Sequence, residues 1–313
     1  MHNIHYILSE TCTPYLVRIW LQQGQALYHS PSGDALLAYQ RKRNDATIAD
    51  VRAMYGFNRT VGNLLTPPDA NMKLGKTERT TYGLTLQHYV TKLVDGVTVN
   101  MCPWAGNCTK VCVLDNGSGR YDSVQRARKW RTDLLVLHPE TFFVRLGYEL
   151  TRAVDKHGEI NFRPNVNQDV MWELWLEYLF SGEFLDGQVW SYGYTKNPDV
   201  LAGDGNLFPY YRVAFSHNEN HPLDFVNARY EDFLNRGGSI AVVTNRKAGD
   251  DVAQWAMQHR VVDADIADDW MFESGVIGDL SAKGRARKLI GESGFVAQLA
   301  AYTSIKPVLV TAS

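Results

Sequence analysis

The runs Gln188-Val-Trp-Ser-Tyr-Gly-Tyr194, Tyr210-Tyr-Arg-Val-Ala-Phe-Ser216 and Ser239-Ile-Ala-Val-Val-Thr-Asn245 are short, apolar and rich in aromatic and β-branched residues. The helical pattern Leu223–Arg236 separates the last two. Such runs read as buried strands. Outward from them the rhythm continues. Further strand candidates lie at Gly96–Met101, Glu159–Pro164, Arg260–Asp263 and Gly275–Leu280, with helical patterns at Tyr121–His138, Glu140–Lys156, Val170–Phe180, Asp250–His259 and Lys283–Leu299. Strand alternating with helix predicts βα units and a parallel sheet. Seven strand candidates approach the eight of a closed barrel, so the predicted fold is α/β, an incomplete or complete parallel (βα) barrel. An open doubly wound sheet is the alternative.

Residues 1–75 read differently. Helical patterns at Tyr15–Gln22, Ala35–Lys42 and Ile48–Tyr55 precede Thr66-Pro67-Pro68-Asp69, which breaks any regular element. This predicts a mostly helical N-terminal extension packed on a main domain of residues 76–313. With 313 residues, 45% of them hydrophobic, the chain can bury a full core. A net charge of −2 gives no global attraction for nucleic acid or an anionic membrane. No apolar run is long enough to span a bilayer. The opening Met-His-Asn-Ile-His lacks the basic-then-apolar pattern of a signal peptide. The expectation is a cytoplasmic protein with no membrane partner, in which clustered cysteines are read as metal-binding or catalytic rather than as disulfides.

The sharpest local signal is Cys102-Pro-Trp-Ala-Gly-Asn-Cys108-Thr-Lys-Val-Cys112, directly after the strand candidate that ends at Met101. Thiolates are soft ligands suited to zinc, Cu(I) or iron–sulfur clusters, and Pro103 and Gly106 bend the loop so that its sulfurs can converge. Structural zinc prefers four ligands in tight C-x₂₋₄-C pairs. Here the gaps are five and three residues, and a fourth ligand has to come from afar, with Cys12, His88 and His138 as candidates. A [4Fe-4S] cluster held by Cys102, Cys108 and Cys112 is therefore the first expectation, with zinc as the alternative.

Polar residues gather at the strand ends: Arg163, Asn165, Asn167 and Asp169 after one, Tyr194 and Lys196 after the next, then Ser216 and His217. Ligands in parallel α/β folds sit at the carboxyl ends of strands. Asn165, Asn167 and Ser216 are accordingly expected to bind ligand. Tyr194 and Lys196 are the catalytic candidates, the lysine to orient a carboxylate or phosphate and the tyrosine to donate a proton or hydrogen atom. Beyond the cysteines, Asp115-Asn-Gly-Ser-Gly-Arg120 is a glycine-containing turn ahead of a helix on which Arg128 and Arg131 are placed to reach an anionic ligand. His217 and His221 form a weak metal pair. Asp263, Asp265, Asp268 and Asp269 crowd carboxylates that read as a solvated acidic loop.

A three-thiolate loop after the first strand of a barrel resembles the layout of radical S-adenosylmethionine enzymes. Their gaps are three then two residues, and this sequence has no glycine-glycine-glutamate run for the methionine amino group. A second resemblance covers more of the chain. The cysteine loop, the Gly-x-Gly-Arg turn, and Val124-Gln-x-Ala-Arg128-x-x-Arg131-Thr132 resemble a phage-encoded family first named for mycobacteriophage gene product eighty-eight. So do Tyr192-Gly-Tyr194-Thr-Lys196-Asn-Pro198, the runs Val213–Ser216 and Ile240–Val243, and Ser281-Ala-Lys-Gly-Arg. The likeness spans about residues 95–290. It implies a phage protein in the host cytoplasm with a shared cysteine-ligated site, and it supplies no reaction.

Two functions follow as expectations. One is an iron–sulfur protein whose barrel-like site, with S-adenosylmethionine as a candidate co-ligand, acts on a nucleotide or another small metabolite. The other is a zinc-stapled binding protein that engages a host protein or nucleic acid through the basic run Lys283-Gly-Arg-Ala-Arg-Lys288.

Overall fold

The aromatic and β-branched runs pair side by side into one sheet, as a computed structural model of the chain shows. It describes residues 2–30, 34–71, 74–75, 77–112, 117–217, 219, 223–247, 259–290 and 295–296. In chain order the elements are β1 (His2–Asn3), α1 (Ile4–Thr11), α2 (Pro14–His29), α3 (Ala35–Ala53), β2 (Leu65–Thr66), β3 (Thr81–Leu84), β4 (Val90–Lys92), β5 (Thr98–Asn100), α4 (Asp122–Leu137), α5 (Pro139–His157) and β6 (Ile160–Arg163). There follow α6 (Glu177–Phe180), β7 (Val189–Thr195), β8 (Tyr211–Ser216), α7 (Leu223–Asn235), β9 (Ser239–Thr244), β10 (Arg260–Asp263) and β11 (Val276–Ser281).

The fold is mixed α/β around an eight-stranded sheet of order β10-β11-β9-β8-β7-β6-β3-β2. Every neighbouring pair in it is parallel except β2 with β3. Among the described residues no ladder joins β2 to β10, so the hydrogen-bonded order is linear. Parallel strands place their carboxyl ends on one edge, which brings Arg163, Thr195, Ser216, Thr244 and Ser281 to a common rim.

Several expectations need correction. The strand before the cysteines, β5, is not in the main sheet; it lies between β1 and β4 in a separate three-stranded sheet. The first parallel strand of the main sheet is β3, whose four residues Thr-Tyr-Gly-Leu carry no clear period, and it pairs Thr81 with Asn161. The helix expected over Val170–Phe180 is a 3₁₀ turn at Trp172–Leu174 and one turn of α6. The two patterns at Ala35–Lys42 and Ile48–Tyr55 merge into α3, started by Asp34, whose side chain accepts from the Leu37 N–H. From Lys283, a 3₁₀ helix at Gly284–Leu289 stands where a long helix was expected. The helix expected over Asp250–His259 lies outside the described residues, apart from its last residue.

The N-terminal helices share the core of the sheet. Ile4, Leu8, Val17, Leu21, Ile48 and Val51 belong to the same buried cluster as Phe142, Phe162, Trp172 and Phe215. Helices α2 and α5 meet on glycines. A Cβ on Gly24 would stand 2.1 Å from the Val144 carbonyl oxygen, and one on Gly147 would stand 2.4 Å from that of Leu21. Both obstacles are backbone, so neither can swing aside. Alanine at position 24 gains about 1 kcal/mol of helix propensity, yet overpacking of a fixed crossing costs up to about 3 kcal/mol. Gly24→Ala is expected to lower stability in urea melts. A more stable variant would show that the helices separate without penalty.

Candidate functional site

The cysteine loop begins where β5 ends. The Asn100 side chain accepts from the Cys102 N–H at 3.0 Å, and the Cys102 carbonyl accepts from Ala105 N–H at 3.2 Å. The chain then winds through a 3₁₀ turn at Gly106–Lys110, with Gly106 at φ 51°, a region glycine enters without strain. Cys108 sits within that turn and Cys112 just beyond it. Two ties hold the loop to the sheet. Asp169 N–H donates to the Met101 carbonyl at 3.0 Å, and Asn107 N–H donates to the Glu219 carboxylate in the connection after β8.

Cys112 is buried, and Cys102 and Cys108 are half-buried; the Cys102 thiol is shielded from water by its surroundings. Burial pushes it well above the usual thiol range, and the Tyr89 N–H, 3.2 Å from its sulfur, opposes that shift. Negative charge on Asp169, Cys108 or Cys112 would raise it further, since all three lie within electrostatic reach. All four cysteines are free thiols. Among the described residues, no group of three or more His, Cys, Asp or Glu side chains is arranged to hold a metal ion.

A cavity of about 480 Å³ opens beside this loop at the carboxyl rim of the sheet. Cys102, Cys108 and Cys112 line it together with Asn165, Asn167, Tyr194, Lys196 and Ser216. The residues expected from strand ends and those expected from the cysteine motif thus share one space. His88 lines it as well. Cys12 does not; it is buried in the main core, 3.6 Å from the Thr11 hydroxyl. His138 caps the junction of α4 and α5. His221 lies outside the described residues, and His217 shares a hydrogen bond with the Tyr230 hydroxyl at 3.0 Å.

Arg128 and Arg131 are not in the cavity lining. Arg128 is buried and donates to the Gly119 carbonyl at 3.2 Å, and Arg131 donates to that of Asn63 at 3.0 Å. Helix α4 turns these side chains onto the glycine turn and onto the segment before β2. In these positions both side chains brace neighbouring segments.

The acidic run is not a solvated loop. Asp268 is buried and accepts from Arg163 Nη1 at 2.5 Å and from the Tyr194 hydroxyl at 3.0 Å, with the Tyr192 hydroxyl at 3.4 Å. The Arg163 guanidinium lies 4.9 Å from the Tyr194 ring centroid. Burial disfavours its charge, and Asp268 beside it more than compensates, so it stays protonated. Asp263 and Asp265 flank Arg246, at 2.9 and 3.5 Å, and Asp265 also takes Lys283 Nζ at 2.6 Å. Charge pairing across distant loops, which no local pattern records, decides where these carboxylates go.

One wall of the cavity comes from late in the chain. Val111, Ala282, Ala286, Phe295 and Val296 form a small buried cluster, with Cys108 packed against it. On the other side, His5 of α1 stacks on Trp104 of the cysteine loop at 5.2 Å and accepts from Met171 N–H at 3.0 Å. Burial lowers His5 from 6.5 to about 4. The unfolded chain therefore binds the additional proton between about pH 6.5 and 4, and the contribution His5 makes to stability is full above that window and lost as pH falls through it. Thermal melts across it are expected to show a loss that His5→Gln reduces; identical slopes would remove His5 from the account.

The family comparison matches residues 63–298 to gene product 88. The chain belongs to the gene product 88 family. This is a family of phage proteins, and its span in this chain takes in the cysteine loop, β3 and the parallel strands from β6 to β11, while α1 to α3 precede it. No curated protein and no solved structure matches this gene product 88 protein. Among the described residues, no helix is long and apolar enough to cross a membrane.

Proposed function

We propose that this gene product 88 protein binds a [4Fe-4S] cluster through Cys102, Cys108 and Cys112, and that the adjoining cavity holds a nucleotide or another small metabolite on which it acts. The observation that carries this reading is that the three thiols line the same cavity as Asn165, Asn167, Tyr194, Lys196 and Ser216. Three soft donors on one loop suit iron–sulfur ligation, and no fourth cysteine stands by to complete a closed zinc site, since Cys12 is held in the core. The strand order supports a barrel-like reading, for β3, β6, β7, β8 and β9 follow one another in chain order as barrel strands do. The cysteine loop falls on the connection between β3, the first parallel strand of the main sheet, and α4, with the β4–β5 hairpin inserted in it, and this supports a radical S-adenosylmethionine-like reading.

A cluster held by three thiolates supplies an iron open to one further ligand and a one-electron couple. The protein's own side chains do the rest. Asn165 is held by Val170 and by the Trp172 indole N–H at 2.9 Å, so its amide is fixed at the rim. Tyr194 is kept neutral by burial and by the negative charge of Asp268, and presents a phenol rather than a phenolate. The host cytoplasm, where thiols stay reduced, is the setting this site requires.

The test is iron and zinc content with an absorption spectrum, on protein purified without oxygen. The expected result is about four irons per chain with a broad violet-to-blue band, after which S-adenosylmethionine binding is the next measurement. About one zinc and no colour would favour the second reading, a zinc-stapled protein that binds nucleic acid or a host protein. Its support is the exposed set Lys283, Arg285, Arg287 and Lys288. A gel shift that weakens steeply with salt would establish it.

A further inference from the structure

Three cations line the cavity: Arg163, Lys196 and Lys283. Two of them are neutralised in place. Arg163 lies 2.5 Å from Asp268, and Lys283 lies 2.6 Å from Asp265. Lys196 differs. Its residue is 9% exposed, and its ammonium contacts the Ser216 hydroxyl at 3.3 Å, the His217 carbonyl at 2.7 Å and the face of the Phe295 ring at 5.3 Å, while negative charge on Cys108, Glu219 or Asp169 acts on it from further away. Asp169 accepts from the Lys196 backbone N–H at 2.9 Å and acts on the ammonium through its charge without touching it. Among the described residues no carboxylate forms an ion pair with this lysine.

A buried ammonium with no carboxylate in direct contact is only partly compensated, so an added anion there gains from its charge. An ammonium has three donors, of which Ser216 and His217 take two. A hydroxyl that accepts from lysine still has its own hydrogen to give. Neighbouring parallel strands bring the two residues together, since β7 ends at Thr195 opposite Phe215 of β8, which places Lys196 beside Ser216. Both line a cavity whose other walls include Val111, Val166, Val243 and Leu280. Its volume is within the range of small-molecule sites. The arrangement sets the Lys196 ammonium and the Ser216 hydroxyl side by side in a cavity that also has apolar walls, with Asp169 in the lining as well.

We propose that Lys196 and Ser216 form an anion subsite, which takes the phosphate or carboxylate end of the cavity's small-molecule ligand while the apolar walls take its body. The proposal rests on the cavity as the ligand site and is independent of which metal the thiols hold. Lys196 supplies the charge and one donor, Ser216 supplies a second donor, and the neutral anchors at His217 and Phe295 hold the ammonium in place without competing for the ligand.

The test is calorimetric titration of the protein as purified, at low salt, with inorganic phosphate, adenosine monophosphate and succinate as separate probes, and with iron assayed on every sample. The wild-type chain is expected to bind at least one of them, with the tighter of the phosphate and succinate arms naming the anion. Lys196→Met, which keeps the length of the side chain, is expected to weaken that binding about tenfold or more, and Lys196→Arg to retain part of it. Ser216→Ala, a change too small to threaten folding, is expected to cost several-fold and serves if Lys196→Met does not fold. No binding by the wild-type chain, or equal binding by Lys196→Met or by Ser216→Ala, would overturn the subsite. So would loss of iron from Lys196→Met with anion binding intact, which would assign the lysine to the thiolates. An iron-free wild-type chain that still binds the anion through Lys196 would leave the subsite standing and remove the cluster.

Discussion

Cys102→Ser protein is expected to purify colourless, with less than a tenth of the wild-type iron. The residue is held by its surroundings at several points. Its backbone N–H is fixed by Asn100, its sulfur accepts from Tyr89 N–H, and Met101 beside it is tied to Asp169 N–H. A serine hydroxyl fits this space but offers a hard oxygen in place of a soft sulfur, and three ligands leave no spare. Cys108→Ser and Cys112→Ser are expected to behave alike. Cys12→Ser is the control. That thiol is packed among core residues such as Leu8 and lies outside the cavity lining, so iron is retained whatever stability is lost. Iron per chain and the visible spectrum decide the matter, with circular dichroism to show that each variant folds. Full iron in all three loop variants would end the cluster proposal.

Asp268→Ala is expected to cost about 3–5 kcal/mol of folding stability, the cost of breaking a buried ion pair by removal of one partner. Both side chains are 7% exposed, so water cannot take over the lost interaction. The Tyr194 hydroxyl loses its acceptor at the same time. Replacement of both charges, Arg163→Met with Asp268→Leu, is expected to recover much of the loss, because the penalty lies in the uncompensated guanidinium rather than in a net gain from the pair. Urea melts of the two single variants and the double variant give the coupling directly. A loss below about 1 kcal/mol for Asp268→Ala would mean that the pair is screened like one at the surface.

Strands β6 to β11 were legible because each is a short apolar run bounded by turn residues, and such runs bury whatever their partners. Arg260–Asp263 is a strand over the residues its composition picks out. Thr81–Leu84 was not legible. It is four residues long, holds Gly83, and turns the polar Thr81 inward, so nothing in its own composition marks it as the strand beside β6. The hairpin strand before the cysteines was recognised as a strand and assigned to the wrong sheet, since propensity describes a strand and is silent about its neighbour. The cysteine spacing and the polar strand ends both pointed to a site. Only the parallel register made them one cavity, by carrying Arg163, Lys196 and Ser216 to the rim where the cysteine loop is pinned.

Much of the local pattern was thus settled by the sequence alone: the apolar runs that form β6 to β11, the loop that gathers three thiols, and the strand ends that carry polar groups. These follow from side-chain size, periodicity and hydrogen-bonding capacity within a few residues. Pairing was decided by the tertiary structure alone. It turned an acidic run into the partners of Arg163, Arg246 and Lys283, set Arg128 and Arg131 to brace loops, and set the Lys196 ammonium against Ser216 and the His217 carbonyl. The reason is that the energy of a buried charge depends on what stands within a few ångströms of it, and those neighbours come from residues 9 to 105 positions away along the chain.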